Sequence, residues 1–136
     1  MAFSAVLEIG DNTSKRYNKQ YLLTGMRLVF NRPYNVVPTG TVRCERIELM
    51  VVTPGKKDLF MFDWFLKSSF ITGRIAVTLT GFDDNSDMSQ QEIYFEDAQC
   101  FSLSELYDID GSRRRMLKVS LISEEIEIGD VKFKCL

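Results

Sequence analysis

The chain of 136 residues contains no histidine, and that absence removes much of enzymology. Ser-His-Asp and Cys-His nucleophilic sites, histidine-ligated zinc and the commonest general base near neutral pH all need an imidazole. Cysteine is scarce as well. Cys44, Cys100 and Cys135 are widely separated with no C-x-x-C pair. An odd count gives no disulfide framework, and the spacings match no zinc knuckle. Cys44 and Cys100 stand among apolar neighbours and read as small core residues.

Neither sign of charge is in excess, since 17 basic against 19 acidic residues leave a net charge of −2. Arg113-Arg114-Arg115 is the one cationic cluster, with Asp108 and Asp110 just upstream. Nucleic acid, which needs a clustered basic face, is therefore not an expected partner. No stretch approaches the ~20 apolar residues of a membrane span, so no membrane insertion is expected. The segment from Met1 to Ile9 lacks the basic start and continuous apolar core of a signal peptide. Synthesis and folding in the cytoplasm is the expectation. No G-x-G-x-x-G or P-loop motif is present. Asp83, Asp84 and Asp87 lack the glycine and glutamate spacing of a calcium loop and read as a solvated turn. Glu125 and Glu127 read as a wet strand edge. The expectation is a protein that is not an enzyme and that carries no cofactor and no metal.

What the chain does have is period-two alternation. Phe3, Ala5, Leu7 and Ile9 form one strand, ended by Gly10-Asp11-Asn12. An extended segment follows from about Tyr17 to Phe30. Thr41 to Val52 changes phase: Val42 and Cys44 share one face, then Ile47, Leu49 and Val51 the other, which predicts a β-bulge or a strand that leaves one apolar environment for another. Ile75, Val77 and Leu79 alternate, then Ile93 and Phe95 resume to about Leu103. Met116 to Ile128 reads as one long strand that also changes phase, and Val131, Phe133 and Cys135 make a last strand after the Gly129-Asp130 turn. With no βαβ rhythm, the fold class is mainly β: a small antiparallel β-barrel or closed sandwich, one domain over 1–136.

One helix interrupts the strands, over about residues 58–67, with Asp58 as its N-cap. Only Asp58, Asp63 and Lys67 are charged in it, and the last two sit four apart on one wet stripe. A helix this apolar must bury one face on its own sheet and another against something else. Leu59, Phe60, Phe62, Trp64 and Phe65 are its candidate anchor and interface residues. Asn31, Arg32, Pro33, Tyr34, Asn35, Val36, Val37, Pro38, Thr39 and Gly40 read as a long loop, since two prolines and a glycine exclude a central strand.

The ordered set of Asn31-Arg32-Pro33, Thr39-Gly40-Thr41, Leu59-Phe60-x-x-x-Trp64 with Ser68, Gly73-x-Ile75, Ile93-Tyr94-Phe95-Glu96-Asp97-Ala98-Gln99-Cys100 and Ile128-Gly129 resembles the hemolysin-coregulated protein family. This is the tube protein (TssD) of type VI secretion, here in its Bacteroidetes form. The resemblance runs from Phe3 to about Lys134. Where the family carries a Gly-Gly pair this chain has Thr39-Gly40, and Tyr34, Val36 and Val37 make its loop more apolar. The resemblance implies a β-barrel with one flanking helix, a homo-oligomeric hexameric ring and rings stacked into a tube. It implies sheath and spike components of the secretion machine as partners, effector proteins as cargo, and export without a signal peptide. It further implies that the Asn31–Gly40 loop makes the ring-to-ring contact. A polar lumen wall is expected, with Arg43, Glu45, Thr78 and Thr80 as candidates. Two other classes stay open on the residues alone: a lipocalin-like small-ligand barrel, and a non-catalytic adaptor domain.

Overall fold

Ala5, Leu7 and Ile9 all project to one side of the first strand and are buried there, as their spacing requires. The computed structural model describes residues 2–31, 34–35, 37–38, 43–52, 57–80, 89–106, 116–129 and 131–134. Along them run β1 (Ala2–Asp11), β2 (Arg16–Asn31), β3 (Tyr34–Asn35), β4 (Val37–Pro38), β5 (Arg43–Val52), α1 (Phe60–Lys67), β6 (Ile71–Thr80), β7 (Ser89–Leu106), β8 (Met116–Ile122), β9 (Glu125–Ile128) and β10 (Val131–Lys134). Strands β7-β6-β1-β2-β5-β8 are hydrogen-bonded in that order, and β8 pairs back onto β7. The result is a closed barrel of antiparallel strands, with the β9–β10 hairpin extending it from β7.

The interior is filled by the protein's own side chains. Leu7, Ile47, Leu49, Ile75, Phe95, Leu117 and Leu121 are all at 0% exposure. Each such residue contributes about 1.5–3 kcal/mol on burial. These side chains occupy the space in which a carrier would hold its ligand. The polar turn expected at 83–87, the Arg113-Arg114-Arg115 cluster and Cys135 lie outside the described residues.

Bulges bend the strands into closure. Val29 pairs with Arg46 and Phe30 with Cys44, so Glu45 is the extra residue of β5. The expected bulge is there, and it returns Cys44 to the buried side that holds Ile47, Leu49 and Val51. A second irregularity sits in β7, where Gly73 faces Phe95 but Ile71 faces Ala98. Asp97 absorbs it with a left-handed φ of 51°, and the buried series steps from Ile93 and Phe95 to Ala98 and Cys100. Gly73 lies close under β1. A Cβ there would sit 2.3 Å from the Glu8 carbonyl oxygen, so only glycine fits.

Two expectations are corrected. The run from Met116 to Ile128 is two strands, broken at Ser123-Glu124. Ser123 Oγ lies 2.7 Å from Glu96 O and 2.9 Å from Glu125 O, and accepts the Glu96 N–H at 3.1 Å. A side chain thus stands in for the ladder where the chain passes from one part of β7 to the other. The helix begins at Phe60 rather than Asp58. Asp58 accepts the Phe60 N–H at 3.1 Å and the Tyr21 hydroxyl at 3.1 and 3.0 Å, which ties it to β2 outside the first turn. Within the segment read as a long loop, Tyr34 pairs with Pro38 and Asn35 with Val37 in a separate small ladder, apart from the barrel sheet. Arg32, Pro33, Val36, Thr39 and Gly40 lie outside the described residues.

Candidate assembly surfaces

The helix is held by Trp64. Its side chain is 2% exposed, and its indole N–H is shared between Ser69 O at 3.0 Å and Ala98 O at 3.1 Å. The first carbonyl follows the helix and the second belongs to β7, so one donor fixes the helix to the barrel. Met61 is buried beside it, and Phe62 is half-buried against the core. Phe60 stacks on Tyr21 at 6.2 Å between ring centroids and meets the Trp64 ring at 6.3 Å, tilted by 40°. Burial, followed by the hydrogen bond to Asp58, raises the Tyr21 pKa. Phe60 is therefore an anchor, not an outward-facing residue.

The other side of the helix is open. Leu59, Phe65, Leu66 and Phe70 are 61%, 41%, 79% and 66% exposed. Leu66 and Phe70 were missed in the sequence, although Leu66 stands two residues past Trp64 and so faces away from it. Gln99 Nε2 donates to Ser68 O at 3.0 Å, which sets the end of the helix beside the second half of β7.

That half of β7 belongs to a second surface. β2 pairs with β1 from Arg16 to Leu23 and with β5 from Leu23 to Asn31. β7 pairs with β6 as far as Ala98 and with β8 from Gln99 to Leu106. The late halves of both strands thus overhang their early neighbours. They frame a four-stranded sheet, β2-β5-β8-β7. Among the described residues no strand pairs on the second side of Met26–Val29 or of Phe101–Ser104.

The outward face of this sheet is polar. Register sets Arg27 beside Glu48, Glu48 beside Ser120 and Ser120 beside Ser102. Glu48 gathers three cations: Arg27 at 2.7 Å, Arg46 at 3.2 Å and Lys118 at 3.7 Å. The Arg27 hydrogen bond foremost, aided by Arg46, holds its carboxyl below the usual range against a smaller opposing effect of burial. Arg46 also meets Glu45 at 2.8 Å. Of the candidate wall residues, Glu45 is the bulge of β5, while Thr78 stands on β6 and so outside this sheet. The side chains of Arg43 and Thr80 lie outside the description.

The opposite side of the barrel carries its own polar row. Glu8 is nearly buried and accepts from Arg74 Nε at 3.0 Å and Gln20 Nε2 at 3.2 Å. The Arg74 guanidinium lies 4.4 Å from the centre of the Tyr17 ring. Asn12 spans the barrel end, donating to Gly73 O, Phe95 O and Glu96 Oε1 and accepting from the Tyr17 hydroxyl at 2.6 Å.

The model of the family described as Hemolysin coregulated protein Hcp (TssD) matches residues 1–135. No curated protein matches the chain. Among solved structures, Hcp1 from Flavobacterium johnsoniae is 17% identical with a TM-score of 0.69, covering 96% of this chain and 98% of that one. A crystal structure of an Hcp protein gives 13% identity and a TM-score of 0.74, with 99% of each chain covered. Hcp1 from E. coli EAEC 042 gives 8% and 0.67, with 98% of each covered. At such identities these likenesses speak to the fold, and the family match speaks to membership. No described helix is long and apolar enough to cross a membrane. The chain belongs to the hemolysin-coregulated protein Hcp (TssD) family, the structural tube proteins of type VI secretion.

Proposed function

We propose that this chain, a single Hcp-like domain over 1–136, closes into hexameric rings that stack into the inner tube of a Bacteroidetes-type machine. The observation that carries the reading is the pair of overhanging strand edges. Neighbours in the four-stranded sheet are all antiparallel, so its first strand, β2, runs opposite to its last, β7. A second copy set alongside in the same orientation brings its β2 edge against the β7 edge in antiparallel sense. Such a contact is heterologous and closes when the rotation divides the circle. The ring size comes from family membership. Leu66 and Phe70 lie beside the β7 edge and give this contact an apolar flank. Phe65 and Leu59 extend it.

In the assembled ring the polar face bearing Arg27, Glu48 and Lys118 lines the lumen, and effectors ride there or on the spike. The loop 31–40 reaches the next ring. Sheath contraction expels the tube, so the protein is made in the cytoplasm and leaves without a signal peptide. Its role is structural rather than catalytic, and it needs no cofactor. Light scattering on the purified protein, paired with negative-stain images, tests the reading. A six-fold mass with annular particles is expected. Monomer alone from micromolar to millimolar concentration overturns it.

A further inference from the structure

The polar wall is not flat. Between β2, β5 and β8 lies a depression of about 280 Å³ lined by Gly25, Met26, Arg27, Glu48, Met50 and Lys118. Register places Gly25 beside Met50 and Met50 beside Lys118. The hollow exists because Gly25 has no side chain. Gly25 closes a bulge of β2, since Leu23 pairs with Val51 and Gly25 with Met50, leaving Thr24 as the extra residue. Gly25 has no positive φ, and an added Cβ would meet only Met50 atoms at 3.8 and 3.9 Å, ordinary contact distances. A glycine inside a strand costs about 0.5–1 kcal/mol against alanine. The bulge accounts for the glycine, and its missing side chain leaves the hollow open to a side chain of another molecule.

The rim supplies the chemistry. Arg27 and Lys118 are 64% and 51% exposed, and with Arg46 they share one carboxylate, Glu48. Arg27 gives Nε and Nη2 to Glu48 Oε2 at 3.1 and 2.7 Å, and its second terminal nitrogen has no acceptor among the described residues. Lys118 is held only loosely, at 3.7 Å. Counting Glu45, which pairs with Arg46, three cations face two carboxylates. The site thus combines an apolar floor of Met50 with cations that have donors to spare. Its volume falls below the ~300 Å³ at which small-molecule pockets begin, so it suits one side chain of a larger partner.

We infer that this depression docks an acidic segment of a cargo protein, an apolar side chain entering the hollow at Gly25 and a flanking carboxylate meeting Arg27 and Lys118. The inference rests on the tube reading, which turns this face toward the lumen. It is tested on the full chain with methyl-labelled methionine, the Met50 signal being assigned through Met50→Leu. The probes are an acetylated Glu-Leu-Asp-Glu peptide and its uncharged Gln-Leu-Asn-Gln counterpart. The Met50 signal should shift saturably with the acidic peptide. The uncharged peptide, and the variants Arg27→Gln and Gly25→Leu, should each need about tenfold more peptide, the worth of one charge-assisted hydrogen bond or of the filled hollow. An equal response to both peptides, or a response that survives Gly25→Leu, overturns the inference. Light scattering on the same samples separates the two readings. Rings that give no Met50 shift overturn the docking site and leave the tube. Monomers that bind the acidic peptide overturn the tube and uphold the chemistry of the site.

Discussion

Replacing Trp64 with alanine should destabilise the subunit by about 3–5 kcal/mol, the cost of deleting a large buried aromatic that its surroundings cannot refill. Trp64 is 2% exposed, and β7 is too constrained by its ladders to collapse into the space. Two further losses push toward the upper end. Phe60 loses a ring partner at 6.3 Å, and the Ser69 and Ala98 carbonyls lose their shared donor. Trp64→Phe separates the parts: it keeps most of the packing and removes the donor, for about 1–3 kcal/mol. For a chain of this length each kcal/mol is worth roughly 4 °C in Tm, so alanine should lower it by roughly 10–20 °C. Trp64 is the sole tryptophan, so fluorescence is lost with it and circular dichroism must follow unfolding. Assembly stabilises by mass action, so protein concentration must be held fixed. If alanine costs less than about 1 kcal/mol, the helix is not anchored where this geometry puts it.

Other outcomes follow from the same contacts. Leu66→Asp and Phe70→Asp, both at exposed positions, should leave monomer stability within about 0.5 kcal/mol and abolish the six-fold mass; rings that persist would remove the helix flank from the interface. Arg74→Met strands the nearly buried Glu8 and should cost about 1–3 kcal/mol, while adding Glu8→Gln should recover part of that loss in a double-mutant cycle. Burial pushes the Cys100 thiol up to about 11, so its thiolate is scarce at pH 8 and iodoacetamide should modify it only after unfolding; mass spectrometry of the native protein reads this directly. Replacing residues 34–37 with a Gly-Ser linker should preserve single rings and abolish stacked tubes, as seen by electron microscopy, whereas unfolded subunits would place that segment in the protomer's own core.

The alternation of Ala5, Leu7 and Ile9, and the phase change between Cys44 and Ile47, are local signals, and both survive intact in the barrel. The break at Ser123-Glu124 was not legible, because Ile122, Ile126 and Ile128 keep an even spacing across it. Only the tertiary position of Ser123 beside the Glu96 backbone lets a hydroxyl replace the ladder. The bulge at Asp97 was hidden for a like reason, since a small Ala98 continues the buried series without marking the step. For the helix, composition located the element and Trp64 but not the division of labour around it. Phe60 and Phe65 look alike in sequence, and only the approach of Tyr21 makes one an anchor and leaves the other half-exposed. Register lay beyond the pattern altogether, and the free edges with it.

Those edges come from strand length. β2 and β7 run for 16 and 18 residues, against a usual 5–6, and each changes neighbours midway. The early half of each completes the barrel, and the late half carries the second sheet past the point where its first neighbour has left. An exposed edge of this kind invites promiscuous pairing, and proteins that keep one in solvent blunt it with proline, charges, bulges or a covering loop. Here Gly25–Asn31 holds one charge, Arg27, and no proline, while Phe101–Leu106 holds only Glu105 and no proline. Arg27 moreover points out of the sheet and is engaged by Glu48, so it does not guard the backbone. Met26, Leu28 and Leu103 meanwhile pack inward on the core, which fixes both overhangs to the barrel, although Phe101 is an extra residue of β7 and bends its edge locally. A monomer would gain from shorter strands. Among the described residues the overhangs end in edges without proline and of opposite sense, which suits the head-to-tail ring proposed above.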